Sequence, residues 1–301
     1  MILNRAVVSL LPLVPRPLIW RISRRYIAGR SLAEALPRVA ELNRGDMTVT
    51  VDVLGEDCQN AAEVTASRDL YLQALEEFKR QGLDCNISIK LSQMGLRFDT
   101  DLCRSVTREL VEAARDRNNF VRIDMEDSSV TQATLDIYQE LRETFSDHVG
   151  AVLQSCLHRS YRDLESLLTE GPTNVRICKG IYREGPAVAL QGREEVRESY
   201  LNLIELLFTH GAVKTAVATH DPPLVSGTLE MIQRFKVPRE RYEFQMLFGV
   251  AEKLRGELVA AGHPLRVYVP FGEAWYPYST RRLRENPQIA GYVMKNLFRR
   301  N

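Results

Sequence analysis

The chain has 301 residues, enough to bury a large core in one or two domains. Hydrophobic residues make up 45% of it and charged residues 26%, which is ordinary for a globular protein. A formal net charge of +1, with no basic stripe among the aromatic residues, gives no argument for nucleic acid as a partner. The five cysteines form no CxxC pair, which favours a reducing compartment, and the five scattered histidines lack zinc-ligand spacing.

Residues 1–44 are predicted to form an N-terminal extension of helices. Residues 6–14 are apolar but too short to span a bilayer, and prolines interrupt them. Residues 20–30 mix arginines with apolar side chains, a composition that can rest on a membrane surface, although packing against the body of the protein is favoured. Ser31 and Glu34 predict a capping box at the start of the next helix.

From residue 45 onward, short apolar strands alternate with helices. The predicted strands are residues 47–54, 85–91, 120–125, 149–154, 174–179, 213–219, 241–247 and 265–269. The predicted helices between them are residues 62–81, 100–117, 131–144, 160–168, 194–210, 223–235 and 251–261. Eight such units predict an α/β fold, a (β/α)8 barrel over residues 45–301 with additional N-terminal helices packed on it.

A doubly wound open sheet is the structural alternative to a closed barrel. Such sheets usually carry a glycine-rich nucleotide loop. The chain contains neither G-x-G-x-x-G nor G-x-x-x-x-G-K-[ST], so the pattern favours the barrel.

The segment from residue 264 to 286 is predicted to be a strand followed by a helix that begins at Pro277. On that helix four side chains would share one face: Tyr278, Arg281, Arg282 and Glu285. Adjacent guanidinium groups offer a planar set of donors to a carboxylate or phosphate. A solvated helix with a surface ion pair is the alternative, but three crowded aromatic residues favour a site: Tyr268, Trp275 and Tyr276.

Polar side chains stand at the end of every predicted strand, where a barrel carries its active site. They are Glu56, Lys90, Asp124, Glu126, Gln154, Arg176, Lys179, Thr219, His220, Gln245 and Tyr268. Because cations dominate this set, the ligand is predicted to be anionic. Lys90 is expected either to bind the ligand or to pair with Asp124, two alternatives that the sequence leaves open.

Three further positions have predictions of their own. Arg176 alternates with apolar residues and is therefore predicted to face the barrel interior. The turn after His220 would either expose its imidazole ring or place Asp221 as a helix N-cap. Cys178 is expected to be a packing residue.

Nine segments together resemble the proline dehydrogenases, specifically the short monofunctional bacterial enzymes. They are RRYIAGRSLAEAL (24–36), VDVLGE (51–56), ISIKLSQMGL (87–96), VRIDMEDS (121–128), VLQSCLHR (152–159), VRICKGIYRE (175–184), VATHDP (217–222), EFQMLFGV (243–250) and RVYVPFGEAWYPYSTRRLREN (266–286). They follow the order of the family over nearly the whole chain.

The resemblance implies a (β/α)8 barrel that holds FAD non-covalently. Such an enzyme oxidises L-proline to Δ1-pyrroline-5-carboxylate by hydride transfer to FAD, and a membrane quinone reoxidises the flavin. Implied partners are therefore L-proline, the quinone, and a pyrroline-5-carboxylate dehydrogenase that takes up the product. The implied location is the cytoplasm, with weak peripheral contact at the inner face of the cytoplasmic membrane.

The resemblance also implies a role for individual residues. Lys90, Arg281 and Arg282 would bind the substrate carboxylate, and Leu247, Tyr268 and Tyr278 would pack around the proline ring. Asp124 and Arg176 would form the catalytic centre. Contacts with FAD would come from Met125, Gln154, Arg176, Lys179, Gly180, Ile181, Thr219, His220 and Glu285. Glu56 and Arg281 would form a gating ion pair.

Two positions depart from the family pattern, where alanine commonly stands at position 181 and valine at position 178. Ile181 and Cys178 are both apolar, so local repacking is expected there. Two other functions stay open. A lyase or aldolase would use Lys90 or Lys179 as a Schiff-base amine with a lowered pKa. A barrel that acts only as a membrane-surface or regulatory binding module would catalyse nothing.

Overall fold

The structure is a computed structural model that describes residues 16–55 and 57–285, without the side chains of residues 18, 22 and 281–285. Within these residues, parallel strands form a closed barrel, in which each strand pairs with the next and β8 pairs with β1. The strands are β1 (Thr48–Val53), β2 (Cys85–Lys90), β3 (Val121–Asp124), β4 (Val149–Gln154), β5 (Asn174–Cys178), β6 (Lys214–Ala218), β7 (Tyr242–Leu247) and β8 (Leu265–Phe271).

Helices connect the strands and cover the barrel. They are α1 (Arg16–Ser23), α2 (Leu32–Arg44), α3 (Ala61–Gln81), α4 (Thr100–Arg115), α5 (Thr131–Phe145), α6 (Ser160–Glu170), α7 (Arg193–Thr209), α8 (Pro222–Arg234), α9 (Glu252–Ala260) and α10 (Trp275–Glu285), with a 3-10 helix at Arg239–Arg241. The predicted (β/α)8 barrel with additional N-terminal helices is confirmed. The predicted apolar segment at residues 6–14 lies outside the described residues.

The start predicted for the last helix is wrong. Helix α10 begins at Trp275, so Pro277 is its third residue and not its first. A proline is tolerated there because the N–H groups of the first turn have no partner within the helix.

Strand β1 illustrates how alternation divides the barrel into an apolar outer layer and a polar interior. Val49, Val51 and Val53 belong to the apolar core between strands and helices. The residues between them, Thr50 and Asp52, therefore face the barrel interior, where both are buried. The polar interior places charged side chains within reach of one another.

Helix α2 begins with a side-chain cap at Ser31. The Ser31 hydroxyl accepts a hydrogen bond from the backbone N–H of Glu34 at 3.3 Å, as predicted. The Glu34 carboxylate, however, accepts from the backbone N–H of Arg30 at 3.1 Å and not from that of Ser31, so the capping box is not the one predicted. The apolar face of α2 joins the main core.

A second, smaller core joins α1 to α10. It consists of Ile19, Ile27, Leu54, Trp275 and Tyr278. The rings of Trp20 and Trp275 lie 4.8 Å apart between centroids, and the Arg30 guanidinium lies 4.6 Å from the Trp20 ring. The described part of this basic, apolar segment thus packs on the protein, as the composition favoured. Among the described residues, no helix has the length and apolarity needed to cross a membrane.

Candidate active site

Asp124 is the centre of the hydrogen-bond network inside the barrel, at the carboxyl end of β3. Its Oδ1 accepts from Nη1 of Arg176 at 2.6 Å and from the Ser88 hydroxyl at 2.8 Å. Its Oδ2 accepts from the Tyr268 hydroxyl at 2.8 Å. Burial and the Asp124 carboxylate raise the pKa of Tyr268, which keeps the phenol neutral and able to donate. Donors from three other strands therefore fix this carboxylate.

Lys90 pairs with Asp52 and not with Asp124. Its Nζ lies 2.7 Å from Oδ1 of Asp52, a carboxylate that is 1% exposed. Burial alone would lower the pKa of Lys90, but the Asp52 and Asp124 carboxylates raise it. Lys90 is therefore a fixed cation, which argues against its use as a Schiff-base amine, since that chemistry needs a lowered pKa.

Arg176 faces the interior, as its alternation in β5 predicted. Besides Asp124 it binds Gln245, whose Oε1 accepts from Nε at 2.5 Å, and its guanidinium lies 5.5 Å from the centroid of the Tyr268 ring. All three of these partners lie within the strands, so the contacts form inside the barrel and not on its loops. The predicted neighbours Asp124, Arg176 and Tyr268 are brought together.

Most of the residues predicted to contact FAD lie at the carboxyl ends of β4, β5 and β6, whereas Met125 follows β3 and Glu285 belongs to α10. The carboxamide of Gln154 is buried and donates to the backbone oxygen of Glu126 at 2.7 Å. Gly180 has a φ of +98°, and a Cβ there would lie 2.3 Å from Sγ of Cys156, so only glycine fits. Ile181 next to it is 42% exposed, and Met125 is buried.

His220 and Leu247 are tied together by a backbone hydrogen bond. The N–H of Leu247 donates to Nε2 of His220 at 2.8 Å. Because a backbone N–H can only donate, Nε2 carries no proton, and the imidazole proton is therefore on Nδ1. Nearby, the hydroxyl of Thr219 accepts from the N–H of Asp221 at 3.1 Å.

Asp221 stands at the N-cap position of α8, as one of the two alternatives for this turn had it, but its side chain makes no capping hydrogen bond. Its carboxylate instead binds Lys179 at 2.9 Å and Arg197 at 2.8 Å. Hydrogen bonds from Arg197 lower the pKa of Asp221, and Lys179 lowers it further. Together they outweigh the opposite effect of burial and bring the pKa to about 2. Cys178 is a packing residue, as expected, and burial raises the pKa of its thiol to about 12.

Some predicted site residues lie outside the description. Glu56 is not described, nor are the side chains of Arg281, Arg282 and Glu285, although all three belong to α10. Tyr278 is buried in the small core shared with α1. The gating pair and the arginine fork thus stay predictions.

The predicted site omitted three buried polar residues that hydrogen-bond with its members or with Gln245. Asp52, Ser88 and Glu243 lie on inward faces of strands, and their signal is a polar residue at every second position of an otherwise apolar run. Glu126 accepts from both the N–H and the hydroxyl of Ser92, at 2.9 and 2.5 Å, and thereby holds the turn after β2. Glu126 is among the predicted strand-end residues, but its contact with Ser92 has no signal in the sequence because it joins two loops.

Taken together, a closed (β/α)8 barrel with fixed carboxylate–cation pairs at the carboxyl ends of its strands is typical of (β/α)8-barrel enzymes. A family model described as proline dehydrogenase matches residues 35–295. Proline dehydrogenase 1 of Bacillus subtilis subsp. natto is 33% identical over 278 residues, which cover 92% of this chain and 91% of that protein. The chain belongs to the proline dehydrogenase family.

Further relatives agree with this placement. Proline dehydrogenase of Deinococcus radiodurans is 33% identical over 290 residues, 94% of this chain and 92% of that protein. The crystal structure of proline utilization A from Bdellovibrio bacteriovorus, inactivated by N-propargylglycine, superposes with a TM-score of 0.83 at 24% identity. The match covers 92% of this chain and 34% of that much longer one, and it supports the fold alone.

Proposed function

We propose that this protein oxidises L-proline to Δ1-pyrroline-5-carboxylate with FAD as the electron acceptor. Family membership supports proline as the substrate, because monofunctional relatives named proline dehydrogenase match over nine-tenths of their length. The observation in the structure that carries the proposal is the network around Asp124, which pairs fixed cations with fixed carboxylates at one barrel mouth. When a hydride leaves neutral-amine proline, positive charge develops on the ring nitrogen beside the carboxylate, so the reacting molecule needs both kinds of partner.

The carboxylate of proline would be bound by Lys90 together with Arg281 and Arg282. Asp52 holds Lys90 at 2.7 Å, so the ammonium group is in place before the substrate arrives. Helix α10 carries the two arginines at consecutive positions, where guanidinium groups offer several donors to a carboxylate. In this arrangement Leu247, Tyr268 and Tyr278 would enclose the apolar ring.

The ring nitrogen would lie towards Asp124 and Tyr268. Both oxygens of Asp124 already accept hydrogen bonds, so this carboxylate is suited to fixing positive charge and poorly suited to removing a proton. Proline must therefore arrive with a neutral amine, and kcat/KM should rise with pH until the free amine predominates. A flat profile would require a protein base.

The donor set at the ends of β4, β5 and β6 fits a flavin nucleotide. Gln154 and Arg176 offer an amide and a cation to the flavin ring, and Lys179 offers a cation, 40% exposed, to the phosphates. Contacts from Met125, Gly180, Ile181, Thr219, His220 and Glu285 would complete the site. Bound FAD would supply a two-electron acceptor for the hydride leaving the ring carbon next to nitrogen. The positive charge of Arg176 would then favour the electron-rich, reduced form of the flavin.

The wider setting is also part of the proposal. Residues 45–301 would form the catalytic barrel and residues 1–44 the extension packed on it. A quinone in the membrane would reoxidise the flavin, the protein would work in the cytoplasm with weak contact at the membrane's inner face, and a pyrroline-5-carboxylate dehydrogenase would take up the product. Glu56 and Arg281 would close the site as an ion pair.

The test is a visible absorption spectrum of the purified protein, taken before and after anaerobic addition of L-proline. Flavin bands that bleach with proline support cofactor, substrate and reaction at once. Bands that persist would remove proline as the substrate. A colourless protein that cannot be reconstituted with FAD would overturn the proposal.

A further inference from the structure

Gln245 lies between the Asp124 network and a buried ion pair one layer deeper in the barrel. It is on β7 and 4% exposed. Its Oε1 accepts from Nε of Arg176 at 2.5 Å, and its Nε2 donates to Oε1 of Glu243 at 2.6 Å. We propose that Gln245 is a positioning residue that fixes the plane of the Arg176 guanidinium, and that Glu243 sets the orientation of Gln245.

The orientation of the carboxamide follows from Glu243. The Glu243 carboxylate binds Arg266 at 2.8 Å, and both side chains are largely buried. Burial alone would raise the pKa of Glu243, but Arg266, Lys214 and Gln245 lower it to about 2, so the group is ionised. An ionised carboxylate only accepts hydrogen bonds. The NH₂ end of Gln245 must therefore face Glu243, and its oxygen must face Arg176.

This orientation fixes Arg176 at two edges of its planar group. Nε is held by Gln245, while Nη1 is held by Asp124 at 2.6 Å and Ser88 at 3.2 Å. A planar group held along two directions cannot turn about the bond that joins it to its side chain. Among the described residues, none accepts a hydrogen bond from Nη2.

Removing the Gln245 oxygen would leave a donor of a buried guanidinium unpaired and let the group rotate. The consequence for proline oxidation rests on the proposed function, in which Arg176 contacts the flavin edge. A misoriented Arg176 would lower turnover more than substrate affinity. The effect on Arg176 itself does not depend on that function.

The experiment measures Arg176 directly by NMR of protein labelled with ¹⁵N at the arginine Nε position. The Arg176 signal is assigned as the exchange-protected Nε–H resonance that disappears in Arg176→Lys. In Gln245→Leu this resonance should shift and exchange at least tenfold faster with water. Tyr200→Phe is the matched control, since it removes a buried 3.1 Å hydrogen bond to β5 from the outer face, at the oxygen of Ile177. It should leave the resonance unchanged.

Gln245→Glu provides a conservative second variant. A glutamate that retains its proton offers an O–H to Glu243 and an oxygen to Arg176, the same pattern as the amide. At low pH it should therefore restore the protected resonance that Gln245→Leu loses. An Arg176 resonance that is unchanged in folded Gln245→Leu would overturn the inference.

Steady-state kinetics test the consequence for proline oxidation. In the loaded enzyme, Gln245→Leu should lower kcat about tenfold or more with little change in KM, and it should add nothing to Arg176→Lys, which has no Nε in that position. Independent, multiplicative effects of the two substitutions would contradict a role through Arg176. If the wild type also fails to oxidise proline but the resonance responds as expected, the proposed function fails while the positioning role stands.

Discussion

Three described cations at the barrel mouth are each paired with a carboxylate. Lys90 is paired with Asp52, Arg176 with Asp124, and Lys179 with Asp221. These pairs fix the cations in space but also neutralise part of their charge. The proposed substrate carboxylate must therefore draw much of its attraction from the arginines of α10.

Arg282→Met tests that dependence. The variant should retain flavin but bind proline more weakly, because a charge-assisted contact with a carboxylate is worth about 2–4 kcal/mol, or about 30- to 700-fold in KM. Steady-state kinetics measure KM, and the flavin absorbance of the purified variant checks cofactor retention. An unchanged KM would remove Arg282 from the substrate site.

Arg176→Ala should act differently, on turnover or flavin retention more than on proline affinity. Arg176 is buried with Asp124 and Gln245, so its loss leaves the Asp124 carboxylate without its cation. The measurements are kcat and the flavin-to-protein ratio. Wild-type values of both would contradict the role proposed for Arg176.

Asp52→Asn should destabilise the protein because it leaves the buried Lys90 without its ion-pair partner. Removing one partner of a buried pair costs about 3–5 kcal/mol. Urea unfolding should detect this loss, and a carboxylate ligand should stabilise the variant more than the wild type, since it supplies the missing charge. Asp57→Asn is the control: Asp57 pairs with Arg97 at 2.6 Å but is 52% exposed, so its loss should cost at most about 1 kcal/mol. Equal losses would contradict the argument.

At the scale of elements, the alternation of strand and helix was readable because the spacing of apolar residues changes from every second position in the strands to every third or fourth position in the helices. Most predicted boundaries fall within one or two residues of the observed ones. What alternation did not reveal is what each inward side chain touches. Asp52 was read as part of an apolar strand, and its pairing with Lys90 joins residues 38 positions apart. Such a pair depends on barrel closure and register, which a local pattern does not contain.

The contact between α1 and α10 gives the element-scale prediction. The Trp20 ring contacts the tilted Trp275 ring and the Arg30 guanidinium, contacts worth about 1–3 kcal/mol together. Trp20→Ala should therefore loosen α10, raise the KM for proline by about tenfold, and speed hydrogen exchange in residues 275–285. Trp20→Phe, which keeps a ring, should have a smaller effect. Unchanged exchange in α10 would show that α1 does not hold it.

At the scale of the molecule, buried charges tie successive barrel units together. Glu243 and Arg266 join β7 to β8 inside the barrel. Asp221 joins the start of α8 to α7 through Arg197 and to the end of β5 through Lys179. The sequence predicted the order of these units but not these ties, since each forms only when distant segments meet.

The ion pairs of Asp221 should make the free energy of unfolding of the whole protein sensitive to acid. Its pKa is lowered to about 2 in the folded protein, so its stabilising contribution is present above the unfolded value and is lost as pH falls through the folded one. Between pH 5 and pH 3 this carboxylate should account for about 1 kcal/mol of lost unfolding free energy. Urea unfolding at both pH values should therefore show a smaller loss in Asp221→Asn than in the wild type. The amide cannot titrate, and Asp163→Asn, which removes a carboxylate paired with Arg159 at 2.7 Å on α6, controls for general loss of an ion pair. Equal acid sensitivity in wild type and Asp221→Asn would mean that this tie does not contribute to the stability of the barrel.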